Sequence, residues 1–163
     1  MKKTYNILFL CTHNSARSIL GEALATTKTH GRFIGYSAGS SPGTQVNPYA
    51  RELALELGYP ADRMRSKSWD EFSAPDAPIM DFIITVCDNA AGEVCPVWLG
   101  HPATAHWGFP DPSRVAGTDE DKRRAFRDVM VGLNRRIDIL ANLPIEQLDH
   151  LKLQEQTRAL AKL

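Results

Sequence analysis

The stretch Tyr5-Asn6-Ile7-Leu8-Phe9-Leu10-Cys11-Thr12-His13-Asn14-Ser15-Ala16-Arg17-Ser18 decides the fold. Tyr5 to Leu10 is a short apolar run bounded by polar residues, the pattern of a buried strand. From Ser18 to about Thr29, Ile19, Leu20, Ala23 and Leu24 give the chain helical character. The turn between the two carries Cys11 and, six positions later, Arg17. A strand-to-helix turn points backbone N–H groups at the helix start, where an oxyanion can bind. Arg17 adds a planar, bidentate donor for a tetrahedral anion. A cysteine at the mouth of such a turn has its thiolate stabilised by the same field, so its pKa falls. Ser18 can donate a hydrogen bond to that thiolate. Asn14 suits the loop because Asn tolerates a left-handed backbone and bonds its own main chain. The plainer alternative is a buried cysteine in a βα turn with Arg17 on the surface.

Outward from this stretch, strand and helix signals alternate, which predicts a parallel sheet covered by helices. Phe33 to Ala38 reads as a second strand closed by Gly39. Ser40 to Asn47 is a turn-rich loop. Pro48 can open a helix, in which Ala50, Leu53, Ala54 and Leu57 recur until Gly58 stops it. Asp81 to Val86 is a third strand, and Ala103 to Trp107 a weaker fourth. Gly108 to Gly117 is a Pro-containing loop. Phe126, Val129, Met130, Leu133, Ile137 and Leu140 mark a long amphipathic helix, which Pro144 breaks. The tail 145–163 reads as helical, with less regular apolar spacing.

Composition narrows the function. The chain has 163 residues, with 19 Lys plus Arg against 19 Asp plus Glu. A balanced charge argues against nucleic-acid binding, which needs a basic excess. Neither a signal-peptide apolar region nor a run of ~20 apolar residues for a membrane span is present. A single cytoplasmic domain over 1–163, with no membrane partner, is the expectation.

The three cysteines are Cys11, Cys87 and Cys95, too few and odd in number for a secreted disulfide scaffold. Cys87 falls at the C-terminal end of the third strand. In a parallel sheet that is the same edge as Cys11, where ligands bind. Cys87 and Cys95 are separated by seven residues, unlike a Cys-x2-Cys redox or zinc motif. His101 and His106 follow, so a Cys2His2 metal site is conceivable, but its spacing is poor and no metal is predicted. The segment between the cysteines is polar and contains Gly92, which reads as a mobile loop rather than core. Trp69, Trp98 and Trp107 read as packing residues, and Lys122-Arg123-Arg124 as a solvated helix face.

Cys11–Ser18 resembles the Cys-x5-Arg-Ser loop of the low-molecular-weight tyrosine phosphatase superfamily, and the chain is similar to the thiol-dependent arsenate reductases of that fold. Leu8 to Ser18, Tyr36-Ser37-Ala38-Gly39, Val86-Cys87 to Cys95-Pro96 and His106-Trp107-Gly108-Phe109-Pro110-Asp111-Pro112 carry the resemblance, over about residues 5 to 140. It implies an α/β fold: a four-stranded parallel sheet with helices on both faces, low-molecular-weight phosphatase-like, with a C-terminal helical tail. It also implies an anion loop of Thr12, His13, Asn14, Ser15, Ala16 and Arg17. Cys11 would be the nucleophile, Asp111 the general acid, and Cys87 and Cys95 the partners in a disulfide relay. No bound cofactor is implied. The reductant would be thioredoxin or a glutathione/glutaredoxin system, with phosphate as a competing anion and the protein a monomer.

Two departures weigh against the alternative, a tyrosine or acid phosphatase. Ser113 stands where the phosphatases usually place an aromatic residue, and Ala16 where they commonly place a second loop cysteine. Some reductases of this kind bind potassium beside the anion loop. Asn14, Glu22 and Ser37 match parts of that pattern, but Trp69 falls near the position expected for an acidic ligand, and the ion is not predicted.

Overall fold

The computed structural model describes residues 3–43, 45–86 and 100–163. Cys87, Cys95 and Trp98 lie outside the described residues. Four strands, β1 (Tyr5–Cys11), β2 (Phe33–Gly39), β3 (Phe82–Thr85) and β4 (Ala103–His106), form one sheet in the order β2-β1-β3-β4. Every neighbouring pair is parallel. The described helices are α1 (Arg17–Thr27), α2 (Pro48–Glu56), α3 (Asp119–Ala141) and α4 (His150–Ala159). The chain steps from β1 to β2 on one side and returns to β3 on the other. The order therefore reverses at β1, and ligands of open α/β sheets bind beyond the strand ends at such a reversal. Cys11 is the last residue of β1.

Alternation along β1 sorts its side chains between two cores. Tyr5, Ile7, Phe9 and Cys11 face a core shared with Leu20 and Leu24 of α1 and with Phe126, Val129, Leu133, Ile137 and Leu140 of α3. Leu8 and Leu10 face the opposite side, with Ala38, Phe72, Met80 and Ile83. The 3-10 helix Trp69–Phe72 covers that second face, and Trp69 packs there half-buried. Gly35 lets α1 approach β2 closely, since a Cβ there would lie 2.3 Å from the Glu22 carbonyl oxygen.

The long helix begins at Asp119, well before its first apolar residue. Thr118 Oγ1 accepts from the Asp121 N–H at 3.2 Å, and Asp121 Oδ2 accepts from the Thr118 N–H at 3.0 Å. This reciprocal cap supports an exposed polar first turn that carries no apolar pattern. The tail packs along β4. Trp107, fully buried, donates its Nε1–H to the Thr157 carbonyl at 3.0 Å. Gln154 Oε1 accepts from the Thr104 N–H at 3.2 Å, and Arg158 Nε donates to the Thr104 carbonyl at 3.0 Å. No helix among the described residues is long and apolar enough to cross a membrane.

Arg32, at the foot of β2, grips Glu146 through both terminal nitrogens at 2.5 and 2.9 Å and also reaches the Leu143 carbonyl at 3.1 Å. These bonds hold the Glu146 carboxyl down at about 2, from an ordinary 4.5. A carboxylate with a lowered folded pKa contributes stability above its unfolded value and loses it as pH falls through the folded one. Glu146→Gln is therefore expected to lower stability at neutral pH. Its stability should also fall less steeply than the wild type's between pH 4.5 and 2, as measured by urea unfolding across that range. Parallel profiles for the two proteins would contradict this. Gly35→Ala places a methyl against backbone rather than a mobile side chain, and should cost about 1–3 kcal/mol or more in the same assay.

Candidate active site

The loop Thr12–Ala16 joins β1 to α1, and the carbonyls of Thr12, His13 and Ser15 turn outward. The Thr12 carbonyl accepts from the Ser41 N–H at 2.9 Å, and the Ser15 carbonyl from the Asn47 N–H at 2.8 Å. The His13 carbonyl accepts from the Gly43 N–H at 3.0 Å and from Ser66 Oγ at 2.8 Å. In a trans peptide the N–H points opposite to the carbonyl it follows, and no peptide bond among the described residues is cis. The amides of His13, Asn14 and Ala16 therefore face away from these outer partners, toward the hollow of the loop. Side-chain bonds support the same shape, with His13 Nδ1 lying 3.0 Å from the Ser41 carbonyl.

Asn14 is the pivot. Its φ is +49°, in the left-handed region that Asn tolerates. It is fully buried and donates Nδ2–H to Ser18 Oγ at 2.8 Å, while its Oδ1 accepts from the Lys67 N–H at 2.9 Å. Accepting from Asn14 leaves Ser18 its own O–H to donate. Gly39 closes the loop from behind: a Cβ there would lie 2.5 Å from the Thr12 carbonyl oxygen and 2.8 Å from that of Cys11. Helix α1 starts directly after the loop, with Ala16 at its cap position and no side-chain cap. The first-turn amides thus add partial positive charge at the place where the buried Cys11 sits.

Arg17 reaches across to the loop after β4. Its Nη1–H donates to the Phe109 carbonyl at 2.8 Å, and its Nη2 lies 3.8 Å from Asp111 Oδ2. Its Nε is buried without a hydrogen-bond partner. The Nε and Nη2 edge of the guanidinium therefore keeps donor capacity for a two-point grip on an anion. Phe109 is itself fixed, with the Arg136 guanidinium 4.8 Å from its ring centroid.

Asp111 caps the turn Pro112–Arg114. Its Oδ1 accepts from the Ser113 N–H at 2.9 Å and from Ser113 Oγ at 2.6 Å. Burial pushes its pKa up, but the two Ser113 bonds, Arg17 and Arg114 outweigh burial and hold the carboxyl below its usual range. Oδ2 is the oxygen that faces Arg17.

Cys11, Arg17, Ser18 and Asp111 thus converge on one end of the sheet with the loop residues Thr12 to Ala16. The expected relay partners Cys87 and Cys95 lie outside the described residues. His106 Nδ1 lies 2.8 Å from Thr85 Oγ1, and His101 is exposed. Among the described residues no group of three or more His, Cys, Asp or Glu is placed to hold a metal ion. Sequence reasoning missed three contributors: Lys67, the Phe109 carbonyl and Ser113. It read no role for Lys67, and expected an acidic residue only near position 69, where Trp69 stands. Only the proximity of Ser113 to Asp111 left a readable signal, since Asp-Pro-Ser begins a capped turn.

Residues 6–156 match the family of low molecular weight phosphotyrosine protein phosphatases. The chain belongs to that family. The match extends past residue 140, where the motifs alone had ended the resemblance, and reaches into α4. Among its relatives in the low molecular weight phosphatase family, an arsenate reductase of Halalkalibacterium halodurans is 36% identical over 135 residues, 83% of this chain and 94% of the relative. An arsenate reductase of Bacillus subtilis is 34% identical over 131 residues, 80% and 91% of the two chains. The crystal structure of an arsenate reductase from Archaeoglobus fulgidus superposes with a TM-score of 0.61 at 29% identity, covering 84% of this chain and 99% of the other.

In this low molecular weight phosphatase fold, a lysine at position 17 could supply charge but not the two-point grip. Arg17→Lys is expected to weaken inorganic phosphate binding about tenfold or more, as read by titration calorimetry. Equal affinity in the two proteins would remove Arg17 from the anion site.

Proposed function

We propose that the protein is an arsenate reductase that works through a covalent adduct on Cys11. The convergence of the Cys11 thiol, the inward-facing loop amides and the Arg17–Asp111 pair carries this reading. Arsenate matches phosphate in shape and charge, so a loop built for one tetrahedral oxyanion admits the other. The Cys11 thiolate attacks arsenic, and one arsenic–oxygen bond breaks as Asp111 supplies the proton that lets the oxygen leave as water. In the absence of an anion, Arg17 and Ser113 favour ionised Asp111. A bound oxyanion engages Arg17 and adds negative charge beside Oδ2, and both effects move Asp111 toward its protonated form.

Two electrons must then reach arsenic. The Cys87 thiolate attacks Cys11 Sγ, the arsenic–sulfur bond breaks with its electron pair on arsenic, and arsenite leaves. A Cys11–Cys87 disulfide remains. Cys95 attacks Cys87 Sγ, which regenerates the Cys11 thiolate and leaves a Cys87–Cys95 disulfide for an external dithiol to reduce. This use of three thiols favours the reductase over a phosphatase, which needs only one. The absence of an aromatic residue at Ser113 favours it too. The reductant is thioredoxin or a glutathione/glutaredoxin system, and the setting is the reducing cytoplasm, with the protein acting as a monomer.

Arsenate-dependent NADPH consumption, run in parallel with the two reductant systems, tests the activity. Turnover with neither system, together with full hydrolysis of a phosphate ester, would replace the reductase with a phosphatase. In the absence of small thiols, Cys95→Ser should release about one arsenite per chain and stop with a Cys11–Cys87 disulfide, detected by peptide mass mapping. Cys87→Ser should release none. Wild-type turnover by Cys95→Ser with the reductant would make Cys95 a bystander.

A further inference from the structure

Behind the anion loop the structure buries a lysine among oxygens. Lys67 Nζ lies 3.0 Å from the Arg65 carbonyl, 3.2 Å from Ser37 Oγ, 3.4 Å from Glu22 Oε1 and 3.5 Å from Asn14 Oδ1. Lys67 is 7% exposed, Glu22 3%, and Asn14 and Ser37 are fully buried. Glu22 is held in place as well: Ser37 Oγ donates to its Oε1 at 2.6 Å, and Tyr59 donates its hydroxyl to Oε2. Asn14, whose left-handed backbone sets the loop, therefore spends one side-chain atom on Ser18 and the other on Lys67.

These oxygens are a donor set for a monovalent cation. Asn14, Glu22 and Ser37 are also the residues that match parts of the potassium-binding pattern of some reductases of this fold. The chain does not fit a separate ion there, because the Lys67 ammonium already sits among those oxygens. Burial lowers the Lys67 pKa and Glu22 opposes that shift. Glu22 provides the charge that an ammonium needs in a buried place, and Lys67 does the same for the carboxylate. Without the lysine, a buried carboxylate would stand beside a loop that has to attract an anion.

We propose that Lys67 is a positioning residue, a cation tethered to the chain that holds Asn14 and keeps the anion loop in its receiving shape without any added alkali metal ion. The proposal rests on the anion-site reading of Cys11 to Arg17. Lys67 lines a cavity of about 420 Å³ together with Glu22, Arg63, Arg65 and Glu71. Truncating the side chain should therefore leave a place that ions from solvent can reach.

The test is inorganic phosphate binding by calorimetry, in choline chloride and in potassium chloride at equal ionic strength. Wild type should bind with the same Kd in both salts. Lys67→Ala should bind about tenfold or more weakly in choline chloride and recover most of that loss in potassium chloride. Recovery by one salt but not another of equal ionic strength is a readout that general loss of packing would not give. Should Lys67→Ala fail to fold, the charge-balanced Glu22→Gln/Lys67→Met pair, checked by circular dichroism, should fold and bind phosphate weakly in both salts. Tighter wild-type binding in potassium would overturn the proposal. So would wild-type affinity in either variant, or a Lys67→Ala loss that potassium does not repair. Folded wild type that binds phosphate in neither salt would instead remove the anion-site reading itself.

Discussion

A ring of backbone amides can face an anion only if the carbonyls behind those amides find partners elsewhere, because a buried carbonyl left unmet is costly. In this protein those partners come from two segments far along the chain. Ser41, Gly43 and Asn47 take the carbonyls of Thr12, His13 and Ser15, and Ser66 adds a second bond to His13. The loop therefore cannot be understood as a local motif. Its shape belongs to β1, α1, the connection after β2 and the strip around Ser66 together.

The sheet makes that meeting possible. Parallel pairing aligns Cys11 with Gly39, the last residues of β1 and β2. An isolated parallel bridge from Gly39 to Ser68 then lays the strip containing Lys67 beside the loop. On the other side of β1, the chain leaving β4 passes Trp107 and Phe109 before it reaches Asp111. Phe109 receives Arg17 through its carbonyl and Arg136 through its ring. Cys11, Arg17 and Asp111 are thus carried by elements whose own burial fixes them, and each reaches the same sheet edge from a different direction.

Most of this architecture was readable from residue pattern. The apolar runs located all four strands to within a residue or so, and Pro48 and Gly58 bounded α2. The Cys11 to Ser18 spacing named the candidate site, and the left-handed Asn14 followed from the chemistry of asparagine. Elements held by polar rather than apolar contacts were harder to read. The first turns of α3 depend on the Thr118–Asp121 cap, and α4 depends on bonds to Trp107 and Thr104 with only Thr157 buried along its length. Lys67 was hidden for a related reason. In Arg65-Ser66-Lys67-Ser68 it looks like any solvated lysine, and only the fold brings Glu22, Ser37 and Asn14 to it. A charge buried by partners from three other segments leaves no periodicity to detect.

Gly35 and Gly39 carry no side chain, yet between them they set how near α1 and the loop come to β2. A core leucine that is lost or gained leaves neighbours that can shift rotamers and share the change in volume. At these two places the opposing atoms are carbonyl oxygens of the helix and the loop, with no rotamers to adjust. Sequence drift in this fold should therefore be absorbed mainly by its bulky interior residues. The freedom to vary is least at the two positions where the chain has the fewest atoms.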